Sequence, residues 1–284
     1  MNRDLVLAML AFVLLGVGPW IAGWLQPSRP ASEGAGESGR ELERRYWRRL
    51  WTPALLPGIA VAILFGWRLQ EPPVTDEPLT PSVVLFAIPA GLFWLRCLWR
   101  AFLASRRPIM PPPIATMGLL RPSVVVSAPL HSILDPEAMN AALSHERAHV
   151  RHFDPLRIWG AQIITDLQWP CPFAKRRFEA WLSALEIARD EEARLDGAHG
   201  EDIAAAVVAV ARMNVASARA QALLTGGEAS LASRVRRLLV PLPLGPARLA
   251  LLAPLCVTIA ITLGVLLGVT RGDSFVRALP FIAG

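Results

Sequence analysis

The distribution of apolar residues constrains this chain more than any other feature of its sequence. Four blocks carry little or no charge, and each is close to the length of about 20 residues that crosses a bilayer as a helix. They predict transmembrane spans at 1–25, 50–70, 80–104 and 246–270. The composition agrees, since 53% of the residues are hydrophobic and only 18% are charged, whereas about a quarter are charged in soluble domains.

The arginines between these blocks predict an orientation. The loop at 26–49 holds six arginines, whereas the short loop at 71–79 holds neither arginine nor lysine. Because basic loops stay in the cytosol, we expect 26–49 and 105–245 to be cytosolic, and 71–79 and the tail at 271–284 to be external. The sequence thus predicts a multi-pass protein of the inner (cytoplasmic) membrane with both termini external. The arginines beside the apolar blocks, which set the orientation in the lipid bilayer, account for the net charge of +6. We therefore expect no direct binding of nucleic acid.

The segment at 105–245 is the one loop long enough to fold as a domain of its own. Ser123–Ser127 is β-branched and lies between prolines, which predicts a strand. Asp135-Pro136 and Asp154-Pro155 each predict a helix start. The fold class is therefore mainly α: four transmembrane helices, with a cytosolic domain of helices plus a small β element inserted between the third and fourth spans. Further helices are predicted at Phe173–Leu195 and Ile203–Ala220, and Leu231–Val240 is a basic amphipathic stretch that leads into the fourth span.

The stretch with the clearest chemical meaning is His145-Glu146-Arg147-Ala148-His149. Residues four apart lie on one face of a helix, so two imidazoles at this spacing can bind one metal ion, with Glu146 beside its open position. This is the H-E-x-x-H arrangement of zinc peptidases. The alternative is that both are ordinary histidines on a helix surface that bind no metal.

A third ligand is available on the long downstream helix. Glu186 completes a set of two histidines and one carboxylate, which suits a catalytic zinc site with one open position. Asp190, one turn later, can accept a hydrogen bond from a ligand imidazole. Glu191 and Glu192 remain rival ligands. Asp154 is interpreted first as a helix cap and second as a support for the metal ligands.

Several segments resemble, in order, the BlaR/MecR family of integral-membrane antirepressor peptidases, which carry a gluzincin-type zinc site. The matching segments are His145 to Leu156, Trp169 to Pro172, Glu186 to Asp190 and Ser233 to Leu239. Two departures stand out. The family often has cysteine where this chain has Arg189, which we expect to have little effect because neither is a ligand. The tail lacks the S-x-x-K motif of a penicillin-binding sensor domain, so antibiotic sensing by this chain is not expected.

The resemblance implies a zinc-dependent endopeptidase with one Zn²⁺ per chain, held by His145, His149 and Glu186, and with Glu146 as the general base. It implies a protein substrate, such as a transcriptional repressor, and a separate sensor protein as a further partner. His131 and His152 are the candidates for stabilising the oxyanion. The strand residues predicted to pair with substrate backbone are Val124, Val125 and Val126.

Two other functions stay open from the sequence. One is a non-catalytic membrane signalling component that retains the zinc site. The other is a membrane quality-control peptidase of the HtpX type, which shares the chemistry and differs in its substrates.

Overall fold

The computed structural model describes residues 37–68, 81–106, 112–169, 171–216 and 231–240, together with helical residues 259, 262–264, 266 and 267. Its elements are mainly helical. In chain order they are α1 (Gly39–Arg68), α2 (Pro81–Ser105), β1 (Ile114–Met117), β2 (Ser123–Val126), α3 (Leu130–Ile133), α4 (Pro136–Arg151), α5 (Asp154–Leu167), α6 (Pro172–Leu195), α7 (Gly200–Ala216) and α8 (231–238).

The prediction of four transmembrane helices is wrong for the part of the chain that the structure describes. Within those ranges, no helix combines the length and the apolar character that crossing a bilayer requires. The multi-pass membrane location, which rested on those spans, is corrected with it. The predicted first span, at 1–25, lies outside the described residues, as does nearly all of the fourth, at 246–270.

The charged residues of α1 and α2 make tertiary contacts that composition does not reveal. Both helices carry charged side chains that have partners on α5. On α2, Arg100 donates from Nε to Asp166 Oδ1 of α5 at 2.7 Å, and Arg96 lies 4.0 Å from the same oxygen. On α1, Glu43 pairs with Arg157 of α5. These helices belong to the same packed assembly as α5.

The helix boundaries predicted from caps and prolines are confirmed. Asp135 precedes α4, and its Oδ1 accepts a hydrogen bond from the amide of Ala138 at 2.7 Å. This satisfies one of the free amides at the helix start. α5 begins at Asp154 and α6 at Pro172, each within one residue of the sequence prediction. The mainly helical character of the chain is confirmed as well.

The larger core cluster joins α1 to α6. Leu42, Tyr46 and Leu50 are buried on one face of α1, and they pack with Trp181 and Leu185 of α6. These α1 residues recur every four positions, which places them on one side of a helix. Helix α1 therefore begins inside the segment predicted as a loop at 26–49, and its first half contributes to the core.

Gly39 allows the start of α1 to approach α6 closely. A Cβ at this position would lie 2.9 Å from the backbone nitrogen of Ala188. Its amide donates to Glu191 Oε2 at 2.6 Å. A larger residue would push the two helices apart and break that hydrogen bond.

The two strands form an antiparallel hairpin in which Ile114 pairs with Val126 and Thr116 with Val124. The hairpin packs against α4, where Ile114, Val124 and Val126 meet Met139 and the neighbouring small residues. The sequence predicted β2 but not β1. The position of β1 matters because it carries a side chain into the site described below.

Candidate metal centre

The two histidines of the H-E-x-x-H stretch lie side by side on α4. His145 and His149 are both buried, each with 7% of its surface exposed. Their Nε2 atoms are 3.1 Å apart. The four-residue spacing and the well-capped start of α4 account for this convergence.

Glu186 of α6 brings its carboxylate to the same point. Its Oε2 lies 3.4 Å from His145 Nε2, and its Oε1 lies 3.6 Å from His149 Nε2. One ligand atom from each of the three residues falls within 4.8 Å of the others. The structure thus places together the three residues that the sequence predicted as metal ligands.

Each histidine has its other ring nitrogen against an aspartate. His145 Nδ1 is 2.8 Å from Asp190 Oδ1, and His149 Nδ1 is 2.8 Å from Asp154 Oδ2. A carboxylate can only accept, so both imidazoles carry their proton on Nδ1. The Nε2 lone pairs of the two imidazoles then face each other. Because two lone pairs repel, this arrangement is favourable only with a cation or a shared proton between them. Asp154 is not the helix cap that the sequence predicted first, because Phe153 takes the capping position and Asp154 is the first residue of α5. Its carboxylate binds His149 and Arg189 instead, which agrees with the second interpretation, a support for a candidate ligand.

The pKa of His145 reflects this acidic surrounding. Burial alone would lower the pKa of the imidazole, but the charge of Asp190 and the hydrogen bonds to Asp190 and Glu186 raise it to about 9. The site therefore favours a positive charge at the point where the three ligands meet.

Arg234 of α8 closes one side of the cluster. It donates to both oxygens of Asp190, from Nε at 2.5 Å and from Nη2 at 2.7 Å. Its Nη1 lies 2.9 Å from Glu186 Oε2, and its Nη2 lies 3.3 Å from His145 Nε2. Burial by itself would raise the pKa of Glu186, yet Arg234 and the histidines hold that pKa well below its usual range. The sequence had placed Arg234 in a basic run without a role in the site.

Glu146 is held by a residue that sequence reasoning missed. Thr116 of β1 donates through its hydroxyl to Glu146 Oε2 at 2.8 Å and lies 2.9 Å from the backbone oxygen of Glu146. The carboxylate also belongs to the electrostatic surroundings of Arg234. Burial lowers the pKa of Arg234, but Asp190, Glu186 and Glu146 together raise it above its ordinary range. Glu146 is thus held by Thr116 and lies within electrostatic range of Arg234, which also contacts Glu186.

The contacts of the remaining predicted residues do not test their roles, and stabilisation of the oxyanion by His131 or His152 stays a prediction. His152 is bound at Nε2 to Glu192 Oε2 at 2.8 Å, and His131 is exposed on α3. Val124 and Val126 of β2 pack into the core, while Val125 is exposed. The hairpin reaches Glu146 through β1, the partner strand of β2, so the role of Val124 to Val126 in substrate pairing stays a prediction.

The two rival ligands have other partners. Glu192 accepts hydrogen bonds from Arg151 and His152. Glu191 accepts from the amide of Gly39 and from Arg237. Their carboxylates are therefore engaged in packing α6 against neighbouring helices, which leaves Glu186 as the carboxylate of the cluster.

The donor set defines the class of site: two imidazole nitrogens and one carboxylate, with a further carboxylate beside them. Such a set fits zinc, which takes nitrogen and oxygen ligands and leaves a position open in catalytic sites. Comparisons with models of protein families, with curated proteins and with solved structures found no match to this chain. The inference about function therefore rests on the site itself.

Proposed function

We propose that this protein is a zinc-dependent endopeptidase. The observation that carries the proposal is the convergence of His145, His149 and Glu186 on one point, with the carboxylate of the neighbouring Glu146 held by Thr116. Structural zinc sites usually have four protein ligands, whereas hydrolytic sites have three and an open position. The ordered resemblance to BlaR/MecR-type peptidases supports the same reaction class.

Each residue of the site has a separate role in the proposed reaction. Zinc, when bound by the three ligands, would supply the Lewis acidity that activates water and polarises a peptide carbonyl. Glu146 accepts the proton of the attacking water and passes it to the leaving nitrogen. Thr116, at 2.8 Å from Glu146 Oε2, holds that carboxylate in one orientation. Asp190 and Asp154 fix the imidazoles so that each Nε2 faces the ligand cluster.

The substrate proposed is a protein. The hairpin beside the site offers backbone hydrogen-bonding groups that an extended peptide can pair with, and such pairing makes few demands on side chains. A regulatory protein such as a transcriptional repressor is the substrate that the family resemblance suggests.

Glu146→Gln tests the proposal. The variant keeps the size of the side chain and all three ligands, so we expect one zinc per chain by elemental analysis and a loss of cleavage of at least about 100-fold. Proteins that remain bound to the variant, but not to wild type, would be identified by mass spectrometry and then incubated with wild-type protein. Full activity in Glu146→Gln, or wild-type protein that binds no zinc, would overturn the proposal.

A further inference from the structure

Arg189 lies next to Asp154 in the folded protein, and the sequence did not predict this contact. It lies on α6, three residues after Glu186, and only 1% of its surface is exposed. A fully buried arginine is rare unless its charge is paired. The partners of Arg189 therefore indicate what it does.

The guanidinium of Arg189 binds both oxygens of one aspartate. Its Nε donates to Asp154 Oδ2 at 2.5 Å, and its Nη2 donates to Asp154 Oδ1 at 2.9 Å. This two-point contact fixes the plane of the carboxylate as well as its position. A lysine, with a single ammonium, would fix the position alone.

The same oxygen, Asp154 Oδ2, also faces His149 Nδ1 at 2.8 Å. Arg189, Asp154 and His149 therefore form a chain that ends at the Nε2 atom of a metal ligand. The other ligand has a matching chain, in which Arg234 binds both oxygens of Asp190 and Asp190 faces His145 Nδ1. Each imidazole is thus oriented by an aspartate that an arginine binds through both oxygens. The arginine lies on α6 for His149 and on α8 for His145.

Arg157 provides an internal comparison. It also donates to Asp154, but only to Oδ1, from Nη1 at 2.8 Å. It is less buried than Arg189, and its guanidinium lies over the rings of Trp47 and Trp181. Both arginines therefore contact the carboxylate of Asp154. Of the two, Arg189 alone contacts Oδ2, the oxygen that accepts the hydrogen bond from His149 Nδ1.

We propose that Arg189 is a positioning residue that holds Asp154 so that His149 keeps its proton on Nδ1 and presents Nε2 to the metal. The inference rests on the proposed function, because it takes the ligand cluster to be a zinc site. Supporting groups of this kind typically change metal affinity by 10- to 100-fold. The remaining acids near the guanidinium are Glu43 and Glu192, at 3.8 and 3.5 Å from Nη1. Their carboxylates add negative charge beside the guanidinium of Arg189.

The test compares Arg189→Met with Arg157→Met, since each removes one guanidinium from the same carboxylate. Zinc affinity is measured on the full chain by competition with a chromophoric chelator, and melting temperature is recorded for the metal-free protein. We expect about 10- to 100-fold weaker zinc binding in Arg189→Met and wild-type binding in Arg157→Met. In Arg189→Lys, which keeps the charge, part of the affinity returns.

A purely structural role for Arg189 would lower the melting temperature and leave zinc affinity unchanged, and that result would overturn the inference. If Arg189→Met does not fold, Arg189→Lys decides: binding equal to that of Arg157→Met contradicts the proposal, and weaker binding supports it.

The nitrogen-15 spectrum of histidine-labelled, metal-free protein separates the two proposals. We expect His149 to carry its proton on Nδ1 in wild type and to become a mixture of tautomers in the Arg189 variants. An unchanged tautomer would refute the role of Arg189, even if wild-type protein bound no zinc and the proposed function had failed.

Discussion

Glu192 offers a quantitative test of how the buried carboxylates of α6 are paired. It is 6% exposed, and Arg151 donates to its Oε1 from Nε at 3.0 Å and from Nη2 at 2.8 Å. His152 Nε2 lies 2.8 Å from Oε2. Replacement by glutamine removes the charge and keeps the volume of the side chain. The variant Glu192→Gln therefore isolates the contribution of these ion pairs.

The magnitude follows from the pKa of Glu192. Burial alone would raise this pKa, but the hydrogen bonds from His152 and Arg151 lower it from 4.5 to about 2. A carboxyl whose pKa is depressed by folding stabilises the protein fully above its unfolded pKa, and this stabilisation is lost as the pH falls towards the folded pKa. The decrease corresponds to a free energy on the order of 3 kcal/mol. The window for its loss runs from pH 4.5 down to about pH 2.

Urea unfolding of wild type and Glu192→Gln at pH 7 and pH 3 measures this contribution. We expect the variant to be less stable by about 3 kcal/mol at pH 7 and by about 1 kcal/mol at pH 3. Glu179→Gln is the control, because Glu179 is an exposed carboxylate on the same helix, and it should leave stability unchanged. A difference between wild type and Glu192→Gln that is the same at both pH values would refute the reasoning.

Three further predictions concern the proposed ligand set, the proposed general base and the hydrophobic core. Glu186→Gln should lower the zinc content below one per chain while Glu191→Gln retains it, and elemental analysis after dialysis checks this; equal contents would contradict the ligand assignment. Thr116→Val should keep zinc and lower kcat by about fivefold, the value of one hydrogen bond to Glu146, as steady-state kinetics would show. Trp181→Ala, at a fully buried position, should lower the free energy of unfolding by about 3–5 kcal/mol in urea.

The inner part of the site could be predicted from the sequence because its geometry is local. His145 and His149 lie one turn apart on a helix whose start is marked by Asp135 and Pro136, so periodicity alone places them together. Glu186 was recognised from its downstream segment, and the structure brings it within 3.6 Å of both imidazoles.

The outer part could not be predicted because it depends on contacts between distant segments. Arg234 reaches His145 across 89 positions, and no spacing rule connects them. Arg189 was expected to matter little because it is not a ligand, and its contact with Asp154, 35 positions away, cannot be derived from spacing. β1 was missed because Ile-Ala-Thr-Met is a short stretch with little alternation.

The error over the membrane spans has a physical origin as well. Composition identifies an apolar block but does not show the tertiary contacts of the helix that contains it. The charged residues at the ends of such blocks are more informative once their partners are known, as with Arg100 and Asp166. Those partners lie 66 positions apart and are visible only in three dimensions.

The proposed ligands come from two helices that pack against each other, with His145 and His149 on α4 and Glu186 on α6. An ion bound by all three residues would cross-link these two helices. Helix α6 could then separate from α4 only if the bond between the ion and Glu186 broke. Binding to the native state alone stabilises a protein in proportion to the logarithm of ligand concentration. Amide exchange along α6 should therefore slow as zinc is titrated in, and a chelator should loosen this joint first.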